Sequence, residues 1–245
     1  MASVGGWLTR REALKAMGTA GLGAWAGCRA PGAPAVSGRW YRGMFHMHTY
    51  WSDGRIFPEQ AIDLYKKLGY DFLGVSDHNQ FQSDPNQWKE VAEKEGKWPP
   101  VVTKPLFDAY LKEYGQEVET RQENGKTLVR LKTCAEMQRA FDEPGKFLLM
   151  PAVEITQVLN GINVHLNYLN LPEAVASVKG GPLSKTIKDE SLSVSDLIGR
   201  NAEEVAQLAA QMRRPTLCML NHPQWVYWDI APLNLIDNPA LRFFE

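Results

Sequence analysis

The sequence has no excess of charge of either sign. Its 27 lysines and arginines face 28 aspartates and glutamates, which gives a net charge of −1. Proteins that bind nucleic acid through charge carry a basic surface, so this balance argues against nucleic-acid binding. Cysteine is also scarce, because three residues do not make a disulfide framework. Cys134 and Cys218, in a predicted helix and a predicted buried strand, are expected to be small core residues.

Long hydrophobic runs are missing as well. A membrane-spanning helix needs about 20 apolar residues, and the weakly apolar stretch Ala16–Gly27 is shorter than that. The segment before it contains Arg10 and Arg11 and resembles a twin-arginine export signal, which a receptor reads as an address. We therefore expect residues 1–36 to be a leader and tether outside the fold, and the twin-arginine export machinery to be a partner.

The end of this leader resembles a bacterial lipobox. Ala26 and Gly27 precede Cys28, the position that would receive the lipid, although Trp25 stands where an aliphatic residue is usual. We expect export across the bacterial inner membrane to the periplasm or cell envelope, with a lipid anchor on Cys28 as the contact with the membrane. Plain cleavage of the leader and a cytosolic N-terminus are the alternatives.

Residues 39–245 alternate strands and helices, which predicts an α/β fold. Trp40–His48, the helix Pro58–Leu68 and Phe72–Ser76 predict a β-α-β unit. The later predicted elements are four strands and one helix: Phe147–Glu154, Ile162–Leu169, Thr216–Leu220, Leu241–Glu245 and the helix Val194–Arg213. Residues 80–145 are more polar, and we interpret them as a helical insertion that either caps the site or decorates the surface. Helices are expected there near Gln87–Glu95, near Leu106–Glu117 and from Thr133 to Phe141.

Histidine is limited to five residues, and each lies at a predicted strand end or on a polar strand face. His46 and His48 are two apart, so on a strand both side chains point to one face. Each histidine alone also has a structural explanation, as a turn or strand residue. Together with two carboxylates they predict a centre for divalent zinc, manganese or iron. The candidate ligands are His46, His48, Asp53, His78, Glu154, His165 and His222.

The stretches FHMHTYWSDG, GVSDHN, PAVE, NVH and NHP resemble, in this order, the motifs of the PHP (polymerase and histidinol phosphatase) domain. The resemblance implies a distorted (β/α)7 barrel that hydrolyses phosphate esters of small molecules with two or three metals. It implies that His46 and His48 bind the first metal and that Glu154 bridges the first and second. It also implies that His165 and His222 complete the second metal site, and that Asp53 and His78 bind the third. Asp77 is expected to support a ligand or to form a turn.

One family motif, a late Asp-x-His, does not occur in this sequence. A fragment that stops before the last strand and a degraded relative are the two explanations, and we expect a fragment because its last residues predict a strand. An amidohydrolase-type hydrolase and a non-catalytic metal-binding lipoprotein are the alternative functions. The Ser52-Asp53-Gly54 turn, the early His78 motif and Glu154 argue against the first of these.

Overall fold

A β-α-β unit forms the first part of the fold in the computed structural model. The structure describes residues 38–94, 96, 100–171, 185–224, 230, 234, 238, 239 and 241–245. Residues 41–245 form one compact unit. The predicted leader, with Arg10, Arg11 and Cys28, lies outside the described residues. No described helix is both long and apolar enough to cross a membrane.

Four α-helices and eleven strands are assigned within the described residues. The helices are α1 (Pro58–Lys67), α2 (Lys104–Tyr114), α3 (Cys134–Phe141) and α4 (Val194–Met212). The strands of the first half are β1 (Gly43–Met44), β2 (Phe72–Val75), β3 (Trp88–Ala92), β4 (Val102–Thr103), β5 (Thr120–Glu123) and β6 (Lys126–Arg130). Those of the second half are β7 (Leu148–Leu159), β8 (Ile162–Leu169), β9 (Lys185–Ile187), β10 (Leu217–Leu220) and β11 (Phe243–Phe244).

The larger sheet is mixed rather than wholly parallel. Its order is β1-β2-β7-β8-β10-β11, with β9 beside β7. β1, β2 and β7 run parallel, as expected of a β/α unit, but β7 and β8 form an antiparallel hairpin and β10 is antiparallel to β8. The hairpin turns at Asn160 and Gly161, both with positive φ, which places β7 and β8 side by side without a crossover helix. The predicted α/β class is confirmed, while the distorted (β/α)7 barrel that the resemblance implies stays a prediction.

The predicted helical insertion, residues 80–145, needs correction. Residues near Gln87–Glu95 were expected to form a helix, but Trp88–Ala92 is a strand in a second sheet of order β4-β3-β6-β5. β3 pairs antiparallel with β6, and the paired residues are 36 to 42 positions apart in the chain. This distant partner overrides the local helical pattern. Residues 134–141 do form the expected helix. Its Met137 packs in the core of the larger sheet, so this helix is part of the main fold and not of an insertion.

Within the part of the chain that the structure describes, three apolar clusters hold these layers together. One packs α4 against β7, β8 and β10, a second packs α1 and α3 against β2 and β7, and a third joins the small sheet to residues 50–57. In the third, the rings of Phe57 and Tyr110 stack with centroids 3.7 Å apart. Cys134 and Cys218 are buried, as predicted, and burial raises the pKa of each thiol to about 12. Both thiols therefore act as apolar core groups.

The start of α3 gives a prediction for the pH dependence of stability. Arg130 donates two hydrogen bonds to Glu136, and this pairing lowers the pKa of Glu136 to about 2. A carboxylate whose pKa is lower in the folded than in the unfolded state stabilises the fold at any pH above its unfolded pKa. This stabilisation is lost as the pH falls towards the folded pKa. We expect the difference in unfolding free energy between the wild type and Glu136→Gln to shrink from pH 6 to pH 3 in urea titrations.

The glutamine variant keeps a side-chain oxygen that can accept from Thr133 N at the helix start, so it tests the charge. Glu190→Gln, at an exposed glutamate, is the control and should show little change across the same range. A constant difference for Glu136→Gln between pH 6 and pH 3 would contradict the role of the ion pair.

Candidate metal centre

Glu154 lies at the middle of the site and is fully buried. It sits within β7, which continues five residues beyond it rather than ending there as predicted. Each of the five histidines places a ring nitrogen within 3.4 Å of its carboxylate. The distances are 3.4 Å for His46, 2.7 Å for His48, 3.0 Å for His78, 3.1 Å for His165 and 3.4 Å for His222. The structure thus brings all five predicted histidines to one carboxylate.

The segment that carries His46 and His48 lies beyond β1, which is shorter than the predicted strand. It is fixed to neighbouring strands by its backbone. Ser76 N donates to Met47 O at 2.9 Å, and Asn167 Nδ2 donates to Phe45 O at 2.9 Å. These bonds tie the segment to the end of β2 and to β8, so both imidazoles face Glu154.

His78 and Glu154 are neighbours because β2 and β7 are parallel. A parallel bridge joins the two residues just past the end of β2, and Asn79 N donates to Glu154 O at 2.8 Å. His165 lies on β8 opposite Thr156 of β7. The expected polar face of β8 is observed, because Val164, Leu166 and Tyr168 on its other face lie in the apolar core.

His222 follows β10 and has a φ of 29°, in the left-handed region that residues other than glycine seldom adopt. Asn221 N, one residue earlier, donates to His165 O at 3.0 Å, which fixes the end of β10 beside β8. Left-handed backbone at non-glycine residues costs energy and occurs often at functional sites. The carboxyl ends of β2 and β10 thus meet at Glu154, as they do in α/β sheets that carry sites at this end.

Asp53 joins the cluster through two histidines. Its carboxylate lies 2.7 Å from His48 Nδ1 and 3.6 Å from His78 Nε2. Burial raises the pKa of Asp53, but the two histidines outweigh it and hold that pKa well below its usual range. In the same way, burial lowers the pKa of His48 while Asp53 and Glu154 raise it to about 10. The carboxylates therefore make this region favourable for positive charge.

The contacts of Glu154 fit metal ligands better than a network of hydrogen bonds. Its Oε1 is approached by three histidines and by Asn221 Nδ2 at 2.7 Å. These neighbours outnumber the hydrogen bonds that the lone pairs of one carboxylate oxygen can accept. Its Oε2 is buried and close to two imidazoles, yet it forms no hydrogen bond of acceptable geometry. Imidazole nitrogens and carboxylate oxygens that converge in this way are the donor set of transition metals.

Among the described residues, three groups of donor atoms could each hold an ion. They are His46 with Glu154 and His222, His48 with Asp53 and His78, and His78 with Glu154 and His165, and the donor atoms of each lie within 4.8 Å of one another. The grouping implied by the resemblance differs from this one, since it paired His46 with His48 and His165 with His222. Asp53 and His78 share a group in both.

Asp77 contacts the loop that carries His48 and Asp53. It is fully buried. Its carboxylate accepts hydrogen bonds from Thr49 N, Thr49 Oγ1, Ser52 N, Ser52 Oγ and Gln82 Nε2. Burial raises the pKa of Asp77 against the opposing effect of these bonds, and five donors directed at one carboxyl group fit its ionised form. Asp77 thereby fixes the loop between His48 and Asp53.

Three contacts at the site involve residues that are not among the candidates predicted from the sequence. Thr156 Oγ1 lies 2.8 Å from His78 Nδ1, Glu245 Oε2 lies 2.8 Å from His46 Nδ1, and Asn221 donates to Glu154. An asparagine directly before a predicted ligand was a usable signal for Asn221. Thr156 and Glu245 could be found only from strand pairing. The cleft above the cluster has a volume of about 670 Å³, and Gln224 and Glu245 also line it.

The turn after His48 depends on a glycine. A Cβ on Gly54 would lie 2.3 Å from the carbonyl carbon and oxygen of His48, which is too close for the backbone to remain in place. We expect Gly54→Ala to displace His48 and Asp53 and so to reduce the bound metal per chain, measured by elemental analysis. Forced overpacking of this kind costs about 1–3 kcal/mol of stability.

Gly69→Ala is the matched control. Gly69 has a φ of 76° and open space around its Cβ position, so alanine there costs about 1–2 kcal/mol of backbone strain without touching the site. Full metal content in Gly54→Ala, or an equal loss in both variants, would show that this close approach does not position the ligands.

No family profile and no curated protein sequence matches the chain. Among solved structures, it is similar to a two-domain protein from Bacteroides vulgatus that contains a predicted PHP-like metal-dependent phosphoesterase. The identity is 14%, the TM-score is 0.39, and the match covers 83% of this chain and 43% of that one. A protein from Bifidobacterium adolescentis, for which a metal-dependent phosphoesterase activity has been suggested, matches at 15% identity and a TM-score of 0.39, over 83% of this chain and 77% of that one. The chain therefore spans less than half the length of the first.

Proposed function

We propose that this chain is a metal-dependent hydrolase of phosphate esters related to the PHP domain family. The observation that carries the proposal is the convergence of five imidazoles on the buried carboxylate of Glu154. This convergence joins the motifs on which the family resemblance rests, from FHMHTYWSDG to NHP. The resemblance supplies the reaction class, and the geometry supplies a donor set able to support it.

The proposed centre holds two or three divalent ions on His46, His48, Asp53, His78, Glu154, His165 and His222. Mixed imidazole and carboxylate donors suit zinc, manganese or iron. Such ions would make a water molecule more acidic and neutralise the charge of a phosphoryl group. Glu154 can contribute to more than one ion, because it belongs to two of the three donor groups. Asp77, through Thr49 and Ser52, holds His48 and Asp53 in place.

The proposed substrate is a phosphorylated small molecule. The cleft, at about 670 Å³, lies in the range of small-molecule sites. Its described lining consists of six candidate ligands, all except the buried Glu154, together with Gln224 and Glu245, and contains neither lysine nor arginine. Metal ions would therefore be the principal partners of a phosphate group among the described parts of the cleft.

An assay of the full chain tests this function. The protein is stripped with a chelator, reloaded with Mn²⁺, Zn²⁺ or Fe²⁺, and offered p-nitrophenyl phosphate, bis(p-nitrophenyl) phosphate and a panel of amides. We expect turnover of a phosphate ester that requires the added metal. Hydrolysis of amides alone would favour the amidohydrolase-type alternative. Metal binding without turnover of either class would favour a non-catalytic metal-binding lipoprotein.

We also propose that the protein is exported through the twin-arginine pathway and anchored by a lipid on Cys28. The support is the sequence of the leader, where Arg10 and Arg11 precede Ala26-Gly27-Cys28. Cys28→Ser should move the protein from the membrane to the soluble fraction of the cell envelope. Replacing Arg10 and Arg11 with lysines, a change that preserves charge, should leave the protein in the cytoplasm. An unchanged distribution in both variants would contradict export and anchoring by this route.

A further inference from the structure

We propose that Glu245 is a positioning residue, which fixes the imidazole ring of His46 as a metal ligand. The proposal rests on the proposed function only in that it treats His46 as a ligand. Glu245 belongs to none of the motifs on which the family resemblance is based, and it comes 199 residues after His46. Its side chain is about half exposed and lines the cleft.

The backbone of Glu245 is fixed at the edge of the site by strand pairing. β11 runs parallel to β10, with Phe243 opposite Met219 and Phe244 opposite Leu220. Glu245 N then donates to Leu220 O at 2.9 Å, so the pairing continues to Glu245 itself. Parallel strands end at the same edge of a sheet, and Leu220 is followed by Asn221 and His222. Glu245 therefore reaches the end of the sheet where the histidines meet.

The two nitrogens of His46 face different groups. Nδ1 lies 2.8 Å from Glu245 Oε2, whereas Nε2 lies 3.2 Å from His48 Nε2 and 3.4 Å from Glu154 Oε1. An ionised carboxylate can only accept, so Nδ1 must carry the proton and donate it to Glu245. In the neutral ring this leaves the lone pair on Nε2, the nitrogen that faces the cluster. A histidine that binds metal through one nitrogen and donates the other N–H to a carboxylate is a recurring arrangement around metal ions.

The remaining contacts indicate a supporting role for Glu245. In the part of the chain that the structure describes, the three donor groups do not include it. His48 also has a carboxylate at Nδ1, from Asp53 at 2.7 Å, but Asp53 is itself a member of a donor group. Glu245 contacts the side of the His46 ring opposite Glu154. It can therefore set the proton position and the angle of this ring without binding an ion.

The test compares Glu245→Ala and Glu245→Gln in the full chain. Long-range ¹H–¹⁵N spectra report the protonated nitrogen of His46 in the metal-free protein, and competition with a chelator reports the affinity for Zn²⁺. For Glu245→Ala we expect loss of the preference for a proton on Nδ1 and Zn²⁺ binding weaker by about 10- to 100-fold, as is typical when such a supporting residue is removed. Glu245→Gln keeps an oxygen that can accept from Nδ1, so it should retain the preference and lose less affinity.

Gln224→Ala is the control, because Gln224 is an exposed polar residue of the same cleft. An unchanged His46 proton position in Glu245→Ala, with Zn²⁺ affinity within twofold of the wild type, would overturn the proposal. Loss of a full equivalent of metal would overturn it in another way, since Glu245 would then be a ligand. Neither measurement uses phosphate-ester turnover, so a failure of the proposed function is distinguishable from a failure of this proposal.

Discussion

Replacing Glu154 with glutamine is expected to release bound metal and to abolish most phosphate-ester turnover. Glutamine has nearly the same shape and can still accept from Asn221, so the fold should persist. It lacks the negative charge that faces the five imidazoles and that would be shared between ions. Loss of a residue that only supports a ligand costs about 10- to 100-fold in affinity or activity. Because Glu154 would be a shared ligand, we expect kcat/KM of Glu154→Gln to fall by more than this factor. The variant should also bind fewer metal ions per chain than the wild type.

The measurement combines elemental analysis, thermal unfolding and the phosphate-ester assay on the same preparation. Glu143→Gln is the control, because Glu143 pairs with Lys66 on the surface before the start of β7 and should keep full metal and activity. If Glu154→Gln retained wild-type metal content and turnover, Glu154 would not be a ligand and the centre described above would be wrong. A protein that unfolds at room temperature would show instead that Glu154 has its main role in stability.

Replacing Asp77 with alanine is expected to lower both stability and activity. The change leaves five donors from Thr49, Ser52 and Gln82 without their acceptor in a buried position. Each buried donor that loses its acceptor costs about 1–3 kcal/mol, and two of these donors are backbone amides that cannot turn towards another acceptor. We expect a loss of at least about 3 kcal/mol, or a fall in Tm of about 6–12 °C for a protein of this size.

The effect on activity follows from where the freed loop lies. Thr49 and Ser52 stand between His48 and Asp53, so both candidate ligands should become mobile and metal should bind more weakly. Asp84→Ala is the matched control, because Asp84 accepts from Asn86 N in an exposed turn away from the cluster. A loss of stability without any change in metal affinity would restrict Asp77 to a structural role. Equal unfolding free energies for Asp77→Ala and the wild type would contradict the hydrogen-bond network.

The candidate ligands could be identified from the sequence because each follows a local rule. His46, His48 and Asp53 lie in one short stretch, and His165 could be placed on a polar strand face by alternation alone. The partition of these residues among ions could not be identified in the same way. It depends on which ring nitrogens face Glu154, and that is set by the parallel bridge of His78 to Glu154 and by the pairing of β8 with β10.

Secondary structure was predictable where the local pattern and the tertiary partners agree. The helix from Pro58 ends as expected before Gly69, and α3 begins with the capping box of Thr133 and Glu136. The prediction was wrong at Trp88–Ala92, where the backbone partners are residues 126–130. The local sequence does not identify such a partner, because the preference of a segment for a strand depends on the neighbours that it packs against.

The sequence by itself therefore determined the α/β class, the opening β-α-β unit and the identity of seven candidate ligands. Hydrophobic periodicity, turn residues and the chemistry of histidine and carboxylate side chains are properties of short segments, so they can be recognised without a fold. Only the tertiary structure decided that Glu154 is the common partner of all five histidines, that Asp77 fixes the loop between two of them, and that Glu245 reaches His46. These contacts join residues up to 199 positions apart, and the sheet register that creates them is a property of the whole chain.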